Sequence, residues 1–317
     1  MEPVGEDVTS SQACGNGTPK TPDTTTLDNE HNEKNSTMIE AERERNKSIL
    51  RRLTKTSLLE LCEENSVGEF HLFEECQEKH CLIVKQVFRL MTDLVQKCSE
   101  IDPRFESKLF WTGSSAEGTK MWLPDEFDFL MELVVLRGNC EYDNSSVFLS
   151  KLFLKKECQK LWSKLCFTNK DYKDPTTLSP LKLKNRFSIL VMDAVSLLDK
   201  NKYQNIRFDD RYYLKNTRVG INITIYWLGE KYKNMKIEID LTVGVPLVLT
   251  EIQLSNYREH SVGKLLDNRI HVIPYMKYNV FWRPSFSLSE FQMLKNLTRK
   301  QVTLYKCLKF CRDIYDQ

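Results

Sequence analysis

The apolar positions of the chain change their period along its length. Ile49, Leu50, Leu53, Leu58 and Leu61 form a broken stripe that predicts a helix from about Met38 to Cys62. Leu82, Val84, Val87, Phe88, Met91, Leu94 and Val95 recur at helical spacing and predict a second helix over Phe73–Ser99. Beyond Pro103 a short strand is expected to lead into Trp111, followed over 113–125 by a loop or short helix that opens on a Gly-Ser-Ser turn. Glu126–Leu136 is bulky and apolar at almost every position and reads as a strand. Helices are expected over Ser146–Phe167 and Arg186–Leu198.

The clearest alternation follows. Val219, Ile221, Ile223, Ile225 and Trp227 alternate with polar or small residues. After a turn near Gly229, Met235, Ile237, Ile239, Leu241, Val243 and Val245 do so again. Period two over this length predicts a hairpin. A further strand near Val280–Phe286 and helices over Ser289–Leu297 and Thr303–Tyr315 complete the pattern. This order predicts an α+β domain with a central twisted mixed sheet flanked by helices.

Composition separates the N-terminus from the rest. Residues 1–37 carry seven acidic and two basic side chains, and the first aromatic residue of the chain is Phe70. Such a segment buries too little apolar surface to offset its ordering entropy, so a disordered acidic tail is expected. The overall charge of +2 therefore leaves the rest of the chain at +7, which suits an anionic partner. Ten scattered cysteines without a CxxC, and no secretory leader pattern, predict reduced thiols and a cytoplasmic location, with the nucleus as the alternative. No apolar run reaches the length of a membrane span, so no membrane association is expected.

Two acids in the Glu126 strand carry the candidate chemistry. Alternation sends Glu126 and Asp128 to one face and Phe127 and Phe129 to the other. In the second hairpin strand the apolar set is odd-numbered, so Glu238, Asp240 and Thr242 share the opposite face. Two acids on one strand and one on a neighbour can hold divalent cations that clamp the attacking and leaving oxygens of a phosphoryl group. The Gly113-Ser114-Ser115 turn just upstream can approach a phosphate through its amides and a hydroxyl. Spacing alone leaves a plain turn and a solvated acidic face as the alternatives. Lys120 and Lys277 could approach phosphates but read first as surface lysines, and His71, Cys76, His80 and Cys81 could bind a metal but read first as ordinary helix residues with Cys81 facing the core.

The run from Gly113-Ser114-Ser115 to Glu126-Phe127-Asp128 resembles the nucleotidyltransferase motif of the cyclic GMP-AMP synthase and Male-abnormal-21-like superfamily. Lys236–Thr242 looks like the strand carrying that family's third acid, Phe281–Ser287 like its Trp-Arg-x-Ser-Phe-Ser segment, and Cys307-Leu308-Lys309 like the start of its later helix. The resemblance covers about 38–317 and implies a nucleotidyltransferase core with a long N-terminal spine helix over 38–287, then an incomplete helical C-lobe over 288–317. It implies that Glu126, Asp128 and Asp240 are catalytic and hold two Mg²⁺ or Mn²⁺ ions. Gly113, Ser114 and Ser115 would contact the triphosphate, Thr242 and Arg283 a base, and Lys309 and Arg312 would add basic groups on the helix beyond.

Active members of that family sense double-stranded nucleic acid. They join ATP and GTP into a cyclic dinucleotide that activates STING in innate antiviral immunity. The vertebrate DNA sensor carries a zinc ribbon after the Trp-Arg segment. Here residues 288–311 contain no His and only Cys307 and Cys311, so no zinc is expected. That pattern is similar to the invertebrate cyclic GMP-AMP synthase-like receptors, for which double-stranded RNA is the commoner activator and DNA the less common. The first helix would border the nucleic-acid groove with Arg43, Arg45, Lys47, Arg51, Arg52 and Lys55, on which the protein can dimerise. The basic stretch 151–186 is a second candidate for that groove. A non-catalytic family member, or a truncated isoform that binds nucleic acid or protein, is the alternative to an enzyme.

Overall fold

The computed structural model describes residues 78–120, 123–143, 149–167, 176–208, 214–230, 232–247, 270–275 and 281–315, all within the unit Ser57–Gln317. The acidic tail, the expected first helix with its six basic residues, His71, Cys76 and Lys277 lie outside the described residues. In chain order the helices are α1 (Glu78–Ile101), α2 (Gly113–Ala116), α3 (Lys156–Trp162), α4 (Pro180–Ser196), α5 (Ser287–Lys295) and α6 (Arg299–Tyr315). The strands are β1 (Ser107–Thr112), β2 (Glu126–Leu133), β3 (Cys140–Tyr142), β4 (Leu152–Leu154), β5 (Ile206–Phe208), β6 (Leu214–Asn216), β7 (Gly220–Trp227), β8 (Met235–Leu247), β9 (Ile270–Pro274) and β10 (Trp282–Ser285).

The main sheet is mixed, as expected of an α+β domain. Its central path runs β1-β2-β8-β7-β5, with β6 added against β7, and β9 and β10 continuing from the far end of β8. β2 and β8 are parallel and the β7–β8 hairpin is antiparallel. The register pairs even-numbered residues with even ones: Asp128 with Asp240, and Asn222 with Asp240 on the other side. One face of the sheet therefore collects Phe127, Phe129, Met131, Ile223, Ile225, Ile237, Ile239, Leu241 and Val243. All are buried in one core that α1 and α4 share. The other face carries the acids at one end and, further along β2, the small cluster of Leu130, Ile273 and Leu288.

Several expectations are corrected. Ser146–Phe167 is not one helix. Leu152, Phe153 and Leu154 pair with Cys140–Tyr142 as a two-stranded ribbon, and only Lys156–Trp162 is α-helical. In the basic stretch 151–186, Lys156 and Lys160 lie on that helix and Lys155 is the residue just before it. Leu152 and Leu154 are buried while Phe153 between them is half-exposed, which is period two rather than 3.6. The strand from Glu126 stops at Leu133, and Val134–Leu136 turns as a 3-10 helix. The helix expected from Arg186 begins at Pro180: the Ser179 hydroxyl accepts from Lys182 N at 3.3 Å, and proline at the first position has no amide to satisfy. The sequence reading also lacked the strands β3, β5, β6 and β9.

The aromatic centre of the α1/α4 core is Phe105, 6.5 Å from Phe187 and 6.1 Å from Trp162 between ring centroids, all three fully buried. Phe187→Ala is expected to lower stability by about 3–5 kcal/mol, the ordinary cost of emptying a buried aromatic site. Urea unfolding measures it. A midpoint unchanged from wild type would show that this cluster does not hold the helices to the sheet.

Candidate active site

The parallel pairing of β2 with β8 brings the three expected acids together. Glu126, Asp128 and Asp240 each present a carboxylate oxygen, and these oxygens lie within 4.8 Å of one another. Asp128 and Asp240 are direct register partners, and the pairing is extended by Glu238 N donating to Asp125 O at 2.8 Å. Glu126 sits at the open end of β2 with its side chain 50% exposed, while Asp128 and Asp240 are half-buried. Glu132 shares their face of β2 but lies four residues further on, roughly 13 Å along a strand. It is buried and paired with His271 at 2.7 Å and with Arg137, which removes it from the cluster.

Gly113 makes room for this arrangement. It has a φ of +72°, the left-handed region that glycine enters without strain. A Cβ placed there would lie 2.0 Å from Asp128 Oδ2, so any side chain would collide with the carboxylate. The turn of α2 follows directly, and its first amides precede the earliest intrahelical bond, Glu117 N to Gly113 O at 3.0 Å. Ser114 is half-exposed on this turn. Ser115 is different: its buried hydroxyl accepts from the Trp111 indole at 3.0 Å. The helical turn rotates this hydroxyl into the core, so what Ser115 can offer a phosphate is its backbone amide.

Sequence reasoning missed one neighbour and misplaced another. Asn222 Nδ2 donates to Asp240 Oδ1 at 2.9 Å, and its place opposite Asp240 follows once the hairpin register is known. Lys120 is not a surface lysine. Its side chain is 14% exposed and its ammonium lies 2.8 Å from Glu126 Oε2 and 3.0 Å from Asp125 Oδ1. Burial alone would favour the neutral amine, but the hydrogen bond to Glu126 and the charge of Asp125 outweigh it and raise the Lys120 pKa. The available sequence signal was its position six residues before Glu126 with Pro124 turning the chain back.

The remaining candidates lie on β8, β10 and α6. Thr242 follows Asp240 on the same face of β8. Arg283 is exposed on β10, which reaches β8 through β9. Lys309 on α6 donates to the Thr119 carbonyl at 3.5 Å, and Arg312 is exposed in the last turn of that helix. One turn before Lys309, Lys306 is fully buried, and burial followed by the nearby Lys309 charge pushes its pKa down to about 8.

A family model described as the Mab-21 protein nucleotidyltransferase domain matches residues 115–296, more than half of the chain. The chain belongs to the Mab-21 nucleotidyltransferase family. A search of the curated proteins found no match. The donor set of this Mab-21 domain fits hard divalent ions: three carboxylates converge, a glycine cradle holds one of them, and a lysine ammonium already sits on another as a stand-in cation. Among the described residues no helix is long and apolar enough to cross a membrane.

The crowded acids carry a pH signature. Burial first, then the charges of Glu126 and Asp240, raise the Asp128 pKa from 3.8 to about 7. A raised carboxyl pKa favours the protonated native state. That contribution is complete below 3.8 and is lost as pH climbs to about 7. In EDTA, Asp128→Asn is therefore expected to melt above wild type at pH 8, with the gap closing as pH falls from 7 towards 4. Thermal melts at several pH values check this, and Mn²⁺ should stabilise wild type more at pH 8 than at pH 6. A gap independent of pH would contradict the crowding.

Proposed function

We propose that this Mab-21 family protein is a cyclic dinucleotide synthase of the cyclic GMP-AMP synthase-like receptor type. It would join ATP and GTP when double-stranded RNA binds, and its product would activate STING in antiviral immunity. The observation that carries the reading is the convergence of three carboxylate oxygens within 4.8 Å beside the Gly113 turn. A fold that used these strands only as scaffold gains nothing from gathering like charges at a partly buried point. The resemblance at Phe281–Ser287 and Cys307–Lys309, and the basic balance beyond residue 37, support the finer assignment.

Each residue then has a task. Glu126, Asp128 and Asp240 would hold Mg²⁺ or Mn²⁺, which supplies charge stabilisation to the reacting phosphate when bound. The Gly113–Ser114 turn would bind the triphosphate through amides and the Ser114 hydroxyl. Thr242 and Arg283 would contact a base, and Lys309 and Arg312 would add positive charge beside the phosphates. Asn222 ties down Asp240 Oδ1, which leaves Oδ2 to accept the proton of an attacking ribose hydroxyl. The hydroxyl oxygen bonds to the α-phosphorus, the bond to the bridging oxygen breaks, and pyrophosphate leaves. A second such step closes the ring. Arg43, Arg45, Lys47, Arg51, Arg52 and Lys55 would meet RNA phosphates, and A-form geometry would be read through 2′-hydroxyls.

Incubation of the protein with ATP, GTP, Mn²⁺ and long double-stranded RNA is expected to yield a nuclease-resistant cyclic product by chromatography and mass spectrometry. Asp240→Asn should lower the yield at least about a hundredfold with the melting temperature retained. Equal product from wild type and variant would refute the assignment of Asp240.

Arg51→Glu with Arg52→Glu is expected to weaken RNA binding and reduce the slope of log K against log salt by about 2. Filter binding across salt concentrations measures both. An unchanged slope would remove this segment from the interface.

A further inference from the structure

The loop that links the phosphate turn to the acids has unusual wiring. Thr119 N and Lys120 N both donate to the Ser114 carbonyl at 2.9 Å, so the backbone at Lys120 is fastened to the residue that begins the phosphate turn. From there the side chain runs to Asp125 and Glu126, largely shielded from solvent. Lys309 holds the same loop from α6 through the Thr119 carbonyl, and Thr119 Oγ1 donates to Glu117 Oε2 at 3.2 Å. One ammonium is thus anchored at the phosphate end of the site by its backbone and pinned to a metal-binding carboxylate by its tip. A lysine ammonium is a compact cation on a flexible four-carbon stem, so its tip can move while its backbone stays fixed.

We propose that Lys120 is a tethered counter-ion that holds Glu126 before a divalent ion is bound, leaves it when the ion is bound, and then binds the triphosphate of the incoming nucleotide. This rests on the reading of Glu126, Asp128 and Asp240 as metal ligands and adds the order in which charge enters the site. The ammonium and a metal ion would both draw on the single negative charge of the Glu126 carboxylate, so Lys120 competes with the ion. Once released, the charge lies within a side chain's reach of the Ser114 turn. The same residue thereby weakens metal binding in the absence of nucleotide and strengthens nucleotide binding in its presence. Metal and nucleotide become coupled through one side chain.

The test uses Lys120→Met, close in shape and uncharged, and Lys120→Arg, which keeps the charge. Mn²⁺ affinity without nucleotide is read by titration calorimetry. Affinity for α,β-methylene-ATP, which cannot undergo the transfer, is read at saturating Mn²⁺. Lys120→Met is expected to bind Mn²⁺ roughly three- to tenfold more tightly than wild type and the analogue about tenfold more weakly, with Lys120→Arg close to wild type in both. Amine labelling of the wild-type protein, read by mass spectrometry, gives a second measure independent of any variant. Lys120 should be slow to react alone, faster with Mn²⁺, and slow again when the analogue is added.

Unaltered Mn²⁺ affinity in Lys120→Met, with Asp128→Asn abolishing binding, would overturn the counter-ion role while leaving the metal site standing. Tighter Mn²⁺ binding with unaltered analogue affinity would overturn the transfer to the triphosphate. Labelling that does not respond to Mn²⁺ would overturn the release. Absence of Mn²⁺ binding by wild type and every variant would bring down the metal reading itself, and this proposal with it.

Discussion

Everything at the candidate site depends on one unfavourable contact: carboxylates on adjacent strands held close enough to repel. Asp128 and Asp240 face each other because β2 and β8 are parallel partners in that register. Nothing local to either strand favours the approach, and burial first, then the charges of Glu126 and Asp240, raise the Asp128 pKa to about 7. The backbone ladder and the apolar residues on the reverse face fix the position regardless. Phe127, Phe129, Ile239 and Leu241 are buried, and a slip by one residue would turn them all to solvent. Burial on one face therefore enforces repulsion on the other.

The surroundings of the acids relieve that repulsion in a graded way. Asn222 offers Asp240 a neutral donor, Lys120 offers Glu126 a full charge, and Asp128, the most confined, packs against the bare backbone of Gly113. Each support comes from a different element: β7, the loop after α2, and the turn that opens α2. These partners supply one ammonium against three carboxylates, so the site remains deficient in positive charge, which is the condition for binding a divalent ion. Glu132 gives the contrast within the same strand. Its partners His271 and Arg137 satisfy it, and although burial alone would raise its pKa, their hydrogen bonds lower it. That acid is structural.

Legibility in the sequence followed the periodicity of each segment. The β7–β8 hairpin was evident because alternation persists over many residues on one buried face. Likewise α1 showed a continuous 3.6-residue stripe. Strand β4 was mistaken for helix because three apolar residues are too short a sample to distinguish the periods, and flanking lysines suit either form. Strands β5, β6 and β9 are also short, and they form because neighbouring β7 and β8 present ladder edges to them. The inward turn of Ser115 depends on where Trp111 lies, which no local pattern states.

By itself, the sequence determined which faces of β2 and β8 are apolar, that acids lie opposite those faces, and that a glycine-serine turn precedes them. These are consequences of alternation and residue chemistry, readable from a few neighbours. Only the tertiary structure decided that Asp128 and Asp240 are partners, that Gly113 is required by the Asp128 carboxylate, and that Lys120 is drawn inward to Glu126. Those facts depend on strand order and register. Both are set by the packing of residues more than a hundred positions apart in the chain, and period alone cannot encode them.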